Sequence, residues 1–365
     1  MRTKILVVAV SLGFALTNVH AATNTWTYAE DSFWDDGSSW LLGVPDISQE
    51  GAFITNASSK TVTLDAFTVS FSPSTLTISN LVVAGTGNDS NTLFLSSAGL
   101  STPLRILKGF SVGNLGGLQV TNSFLRVDGM SGGQFAVDGA ARFNNGLLIT
   151  TNAPTVVGTS ASGSLSIVGG TWRGGAVTVG GGTLAFSGGS NTLSTLSLTN
   201  TSVLQFALGT NSTTVQVSGD LTLGGTLNIT DRGGFSNTTY TLFTYAGELT
   251  DHGLVIGTTP NGAACAISVA TAGQVNLVVS NTGAPPQPIQ ITAIVRQGND
   301  IKITWNTSGA SNIVQFSAGT GSSGSYSNNF VDLSSIIVTT PTTNYVDVGG
   351  ATNSPSRFYR IKQTQ

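Results

Sequence analysis

The side chains best equipped for chemistry crowd into one stretch, TWTYAEDSFWDDGSSW, from Thr25 to Trp40. It holds three of the chain's five tryptophans and four of its 17 acidic residues. Glu30, Asp31, Asp35 and Asp36 are oxygen ligands of the kind calcium takes. They lack the D-x-D-x-D-G spacing of a calcium loop, so a solvated acidic loop is the simpler reading and calcium the one metal they suggest. Trp26, Trp34 and Trp40 carry flat apolar faces on which a sugar ring can stack. They can equally plug the end of a fold. Their spacings of 8 and 6 would put strand residues on one face, but DDGSS breaks the strand between Trp34 and Trp40. The expectation is rings inward and carboxylates outward.

Other candidates are scattered. Trp172 and Arg173, in TWRGG, form a binding pair if exposed, while a buried Trp172 is core. Glycoside hydrolysis needs two carboxylates about 5–9.5 Å apart. The candidate pairs are Glu30 with Asp35 or Asp36, and Asp128 with Asp138. The last two each precede a glycine, which is a turn signature. Arg126, Arg142 and Arg173 are the cations a polysaccharide lyase would use, and no cluster of acids accompanies them in sequence. His252 reads as a loop residue and Cys265, in GAACAISVA, as a buried thiol; one of each cannot build a zinc site. No catalytic set emerges, so an enzyme is not expected.

The elements that would position these groups are short strands. Charged residues are 8% of the chain, against about 25% in ordinary soluble proteins. Glycine supplies 46 of 365 residues, yet 39% are apolar, which is not the composition of disorder. Apolar residues alternate with small polar ones: Leu165 and Ile167, Val177 and Val179, Val215 and Val217, Leu221 and Leu223. Period two means one face in and one face out. Gly-Gly, Asn-Gly and Asp-Gly pairs punctuate the strands, as hairpin turns or as corners of a parallel coil. Quasi-repeats at a period of roughly 20 residues favour the coil. So do the Ser, Thr, Asn and Gly of the outer face, which can ladder from one coil to the next. The threonine-rich runs are too irregular for the flat arrays of an ice-binding solenoid.

Residues 1–21 read as a signal peptide: Arg2 and Lys4, an apolar run from Ile5 to Leu16, then Val19 and Ala21 before the cleavage point. Its loss takes 14 basic residues to 12 against 17 acids, a net charge of about −5. That excludes the basic footprint nucleic acid demands. No later run is long and apolar enough for a transmembrane anchor. Residues 22–55 then read as an N-terminal cap, 56–280 as a β-solenoid and 281–288 (NTGAPPQP) as a stiff linker. Residues 289–365 read as a small antiparallel β-sandwich with Trp305 in its core. A solenoid's open ends need atypical capping units, which is the job available to the Thr25–Trp40 stretch.

Two regions carry a resemblance. VSGDLTLGGTLNIT, YTLFTYAGELT and AGQVNLVV, between Val217 and Val279, resemble the end of autotransporter-associated β-strand repeat passengers, as does the opening W…W…W…GVPD. Such exported proteins occur in Gram-negative bacteria, notably the Verrucomicrobia and Planctomycetes. The stretch with ITWNT, VQFSAG and SRFYRIK resembles the fibronectin-III-like β-sandwich often found at their C-termini. The resemblance implies a right-handed parallel β-solenoid, an extracellular or cell-surface place, and no assigned activity. No barrel-sized segment follows, so export through the chain's own barrel is not expected. The fold class expected is therefore all-β, a solenoid followed by a sandwich. The function expected is structural or adhesive, with extracellular polysaccharide or cell-surface components as partners. The alternative is a carbohydrate-binding or polysaccharide-degrading β-helix.

Overall fold

The computed structural model describes residues 22–159, 163–281, 289–306, 311–320, 325–326, 328–337, 342–352 and 356–364. The chain divides into two compact units, residues 1–282 and 283–365. The expected signal peptide lies outside the described residues, as does nearly all of the expected linker.

The first unit is a parallel β-solenoid, in which each turn of chain lays down strands on three faces. On one face Thr23–Thr25, Gly51–Ile54, Leu81–Val83, Phe110–Val112, Phe135–Val137 and Thr155–Val157 ladder in order. The later halves of Thr171–Val179 and Ser190–Leu198 continue it, then Leu221–Leu223 and Leu249–Asp251. A second face stacks Lys60–Asp65, the start of Asn91–Ile106, the start of Gly116–Val127, Ala140–Asn144, Ser164–Val168, Thr183–Phe186, Val203–Leu208 and Thr226–Asp231. The third runs through the far halves of the long strands, through Leu147–Thr150, and on to Val215–Val217.

Period two is what fills the interior. Val62, Leu93, Leu118, Ala141, Leu165, Leu184, Leu204 and Leu227 stand in one inward row, each opposite the next across the ladder. None is more than 2% exposed. Phe186 and Phe206 lie tilted against each other, 5.3 Å between ring centroids, in the row beside it. Outward rows are mixed: Thr61 stands opposite Thr92 in one, while Phe94, Gln119 and Arg142 follow one another in the next.

Every glycine pair between these strands is a corner rather than a hairpin, because the flanking strands pair with other coils in parallel. Gly170, after Ser164–Val168, shows why glycine is needed there. Its φ is +78°, and a Cβ would lie 2.2 Å from the Gly146 carbonyl oxygen one coil below.

Three details differ from the sequence reading. Residues 22–55 are not set apart from the solenoid: Thr23–Thr25 and Gly51–Ile54 already form its first two rungs. The segment KTVTLDAFTVSF is strand only to Asp65. There the Asp65 carboxylate accepts from the Phe67 and Thr68 amides and starts a helix, Ala66–Phe71. At the far end the parallel pattern gives way to an antiparallel sheet, in which Gln274–Asn281 lies between Thr239–Tyr245 and Ala264–Ser268. This replaces an exposed edge with paired strands.

The second unit is a β-sandwich of two antiparallel sheets. Asp300–Asn306 lies between Ile291–Gln297 and Thr342–Asp347 in one. Ser311–Thr320 pairs with Val331–Ile337, Ser325–Tyr326 and Arg357–Thr364 in the other. Ile303 and Trp305 of the first sheet bury against Val314 of the second. The Asp347 carboxylate takes hydrogen bonds from the Arg357 guanidinium and the Tyr359 hydroxyl. Burial, then the neighbouring carboxylate, pushes that phenol up to about 12. Among the described residues no helix is long and apolar enough to cross a membrane.

Candidate functional site

The first coil turns sharply at DDGSS. Asp36 caps a single 3-10 turn, Gly37–Ser39, and accepts hydrogen bonds from Ser38 N, Ser38 Oγ, Ser39 Oγ and Ser32 Oγ. Those hydroxyls hold its carboxyl down at about 2. The turn carries the chain back on itself, so that Trp40 bridges antiparallel to Trp26.

Trp40 then sits edge-on to both other rings, 5.0 Å from Trp26 and 5.2 Å from Trp34, and its Nε1 donates to the Trp34 carbonyl at 2.9 Å. Trp26 and Trp34 are 0% exposed and Trp40 3%. None has a face open to solvent, so as they stand the rings pack and give a sugar no platform. Trp172 is likewise 0% exposed, its Nε1 donating to the Thr150 hydroxyl at 3.2 Å; Arg173 next to it is exposed.

The four acids do not converge on a cation. Among the described residues, no three His, Cys, Asp or Glu side chains come together to hold a metal ion. Each acid serves its own surroundings instead. Glu30 accepts from the Tyr28 hydroxyl, Asp31 from the Thr61 amide at 2.6 Å, and Asp35 from the Thr68 hydroxyl at 3.1 Å.

The other carboxylates are divided among corners. Asp138 follows the strand Phe135–Val137 of the first face and accepts from the Thr159 amide. Asp128 follows the third-face strand that ends at Val127, and it is buried between two arginines. Arg105 and Arg126 each reach it at 2.6 Å. Burial opposes its charge, but the hydrogen bonds and charges of Arg126 and Arg105 outweigh that and hold the carboxyl below its usual range. A carboxylate so neutralised is a poor general acid or base. Arg105, Arg126 and Arg173 share one outward row of the third face, with Ile149 between the last two. Arg142 stands on the second face. His252 is exposed, and Cys265 is half-buried rather than buried, with burial pushing its thiol up.

Two groups escaped the sequence reading. Lys60 is 3% exposed, its ammonium donating to the Asn56 and Ala57 carbonyls and to Asn91 Oδ1. Burial lowers its pKa, with the Asp89 charge working against that. It rivets a corner between two coils. The second group is aromatic and exposed: Phe33, Phe67 and Phe71 at 53%, 59% and 72%. Phe33 and Phe67 line a concavity of about 370 Å³ together with Asp35, Asp36 and Asp65. The signal for it was present in Asp65, an N-cap residue ahead of a Phe-x-x-x-Phe spacing that makes neighbours only on a helix. A larger concavity, about 520 Å³, lies beside Arg173 over successive rungs marked by Thr192, Gln216 and Thr244.

Comparison with known proteins adds one local match. Over 70 residues, 19% of this chain, the sequence is 49% identical to the adhesin BmaC autotransporter of Brucella suis biovar 1 (strain 1330). The match spans 2% of that protein's length. No protein-family model and no solved structure matches the chain.

Proposed function

We propose that this chain is an exported, cell-surface β-solenoid whose role is adhesive or structural rather than catalytic. The observation that carries the reading is how its reactive side chains are spent. Asp36 caps a turn, Asp128 is ion-paired between two arginines and Lys60 rivets a corner, while much of the outward surface is uncharged, with Thr192, Gln216 and Thr244 in file on one face and Thr61, Thr92 and Gly117 on another. Such a surface suits contact by area and shape better than chemistry at a point. The local match to an autotransporter adhesin supports the same reading. The residues resembling a signal peptide and a fibronectin-III-like module fit an exported, modular protein.

A second reading, polysaccharide binding, is favoured by the concavity beside Arg173, whose guanidinium has no partner among the described residues and faces a row of hydroxyl and amide groups. Immunolabelling of intact cells, paired with attachment of a deletion strain to abiotic and glycan-coated surfaces, tests both. Labelling of whole cells and loss of attachment are expected. Attachment unchanged on every surface, or product release from polysaccharide by the purified chain, would overturn the adhesive reading.

A further inference from the structure

The phenylalanines of the solenoid range from buried to exposed, with Phe53, Phe94, Phe124 and Phe235 half-buried. Phe110, Phe135, Phe143, Phe186, Phe206 and Phe243 are all within 1% of full burial. Phe33, Phe67 and Phe71 are each more than half exposed and stand at the N-terminal end of the unit. Phe67 and Phe71 are one helical turn apart and 4.3 Å between ring centroids. The helix that bears them is turned against the usual order: Thr68 is its buried residue, and its two rings face solvent.

Nor is the segment loosely held. Asp65 caps it through two backbone amides, and the Thr68 hydroxyl donates to Asp35. An apolar stripe fixed outward by three hydrogen bonds is what a contact surface requires.

The rim selects the occupant. Asp35, Asp36 and Asp65 border the two rings that line the concavity, and no cation lines it among the described residues. The Asp35 and Asp65 carboxylates each have one oxygen, Oδ2, that accepts no hydrogen bond from the described residues. A cationic head set among these oxygens would have its apolar stem on the phenylalanine faces, where ring and charge also attract. Phe71 extends the surface past the concavity, so a segment with several side chains covers it better than a single ammonium group.

We propose that the Phe33–Phe67–Phe71 face docks a partner protein through a segment in which lysine or arginine alternates with apolar residues. This does not rest on the adhesive reading, since a chain that proves to have no role in attachment still presents the same face.

The test uses the full chain and a fluorescent probe peptide, KLKFKLK, with ELEFELE as its counterpart, read by polarisation. Wild-type protein is expected to bind the lysine peptide and not the glutamate one. The double variant Phe67→Ser/Phe71→Ser should weaken binding by roughly tenfold or more, as removal of aromatic anchors does. Asp35→Asn/Asp65→Asn keeps both hydrogen-bond acceptors and the helix cap while removing two charges. It should weaken binding by a similar factor and flatten its salt dependence. Unchanged far-UV circular dichroism confirms that both variants fold. Equal binding by wild type and either variant overturns the proposal. So does equal binding of the two peptides, competition by a neutral oligosaccharide such as xylohexaose, or a wild-type dimer that Phe67→Ser/Phe71→Ser abolishes.

Discussion

Replacing Trp40 by alanine tests whether the tryptophan cluster is a structural lid. Trp40 is the middle ring of three, in edge contact with Trp26 and Trp34 and hydrogen-bonded to the Trp34 carbonyl. Truncating a buried tryptophan costs about 3–5 kcal/mol. Two edge-to-face contacts at about 0.5–1.5 kcal/mol each and a carbonyl left buried without its donor account for much of that figure. The loss should stay local, because a solenoid is stabilised mainly by contacts between neighbouring coils. Among the described residues the first coil is laddered to the second alone, through Trp26 N to Phe53 O and Trp34 N to Thr63 O. Opening of that coil should therefore rise by roughly a hundredfold to a few thousandfold, at about 1.4 kcal/mol per decade. Hydrogen exchange resolves it. The amides of Trp26, Thr27 and Leu41, bonded to Phe53, Ser39 and Thr25, should lose protection, while those in the Leu184 and Leu204 rungs keep theirs. Wild-type protection at Thr27 and Leu41 would refute the lid. Uniform loss along the chain would refute the nearest-neighbour account.

Three further perturbations bear on the coils. The Asp128 carboxyl is depressed in the folded chain, so its contribution is complete above the unfolded value of about 3.9 and is lost as pH falls through the lower folded one. Melting between pH 6 and 2 should show this fall. Asp128→Asn, costing about 1 kcal/mol at neutral pH because both arginines are free to rehydrate, should flatten it. Gly170→Ala, where φ is +78° and the Gly146 oxygen blocks a Cβ, should lower the denaturant midpoint by the equivalent of more than about 1 kcal/mol; Gly181→Ala, with φ outside the left-handed region and open space around it, should be neutral or slightly stabilising. Tandem duplication of residues 183–202 supplies one complete coil, since Thr183 pairs with Val203. It should lengthen the solenoid by about 4.8 Å in small-angle scattering and leave the fold intact.

Strand, interior and outward residues were legible because a half-buried strand writes its burial as strict alternation. Leu165 and Ile167 mark the inside and Ser164 and Ser166 the outside without help from the rest of the chain. The coil period was not legible, and the register explains it. Leu165 meets Leu184, Leu93 meets Leu118 and Val62 meets Leu93, so the step from one rung to the next differs each time and lengthens toward the N-terminus. Most of the difference lies in corners, which bear no inward row. The helix at Ala66–Phe71 was hidden because Phe67, Val69 and Phe71 also alternate. Only the Asp65 cap distinguishes the two, and its effect on the Phe67 and Thr68 amides is local. The three tryptophans could be expected to face inward, but the concavity beside them could not be read from sequence. It is formed by residues from two successive coils, Phe33 with Asp35 and Asp36 in one and Asp65 with Phe67 in the next.

The same division between rows and corners bears on where a function can sit. A residue on an inward row is fixed by its partners above and below, so that a change at Leu184 is felt by Leu165 and Leu204 at once. A residue at a corner answers only to local backbone demands, such as the amides that Asp36 and Asp65 cap. Corners can therefore lengthen and take on a helix or an exposed ring without disturbing the ladder that carries them. The chain's longest register steps, such as Val62 to Leu93 and Leu227 to Ile256, fall toward the ends of the solenoid, and its exposed phenylalanines cluster at one of those ends. The middle coils take shorter steps, from Ala141 to Leu165, from Leu165 to Leu184 and from Val177 to Leu196, and their corners are correspondingly short, as at Thr199–Ser202. The longer corners at the N-terminal end are thus what gives the helix Ala66–Phe71 and its two exposed rings a place outside the ladder.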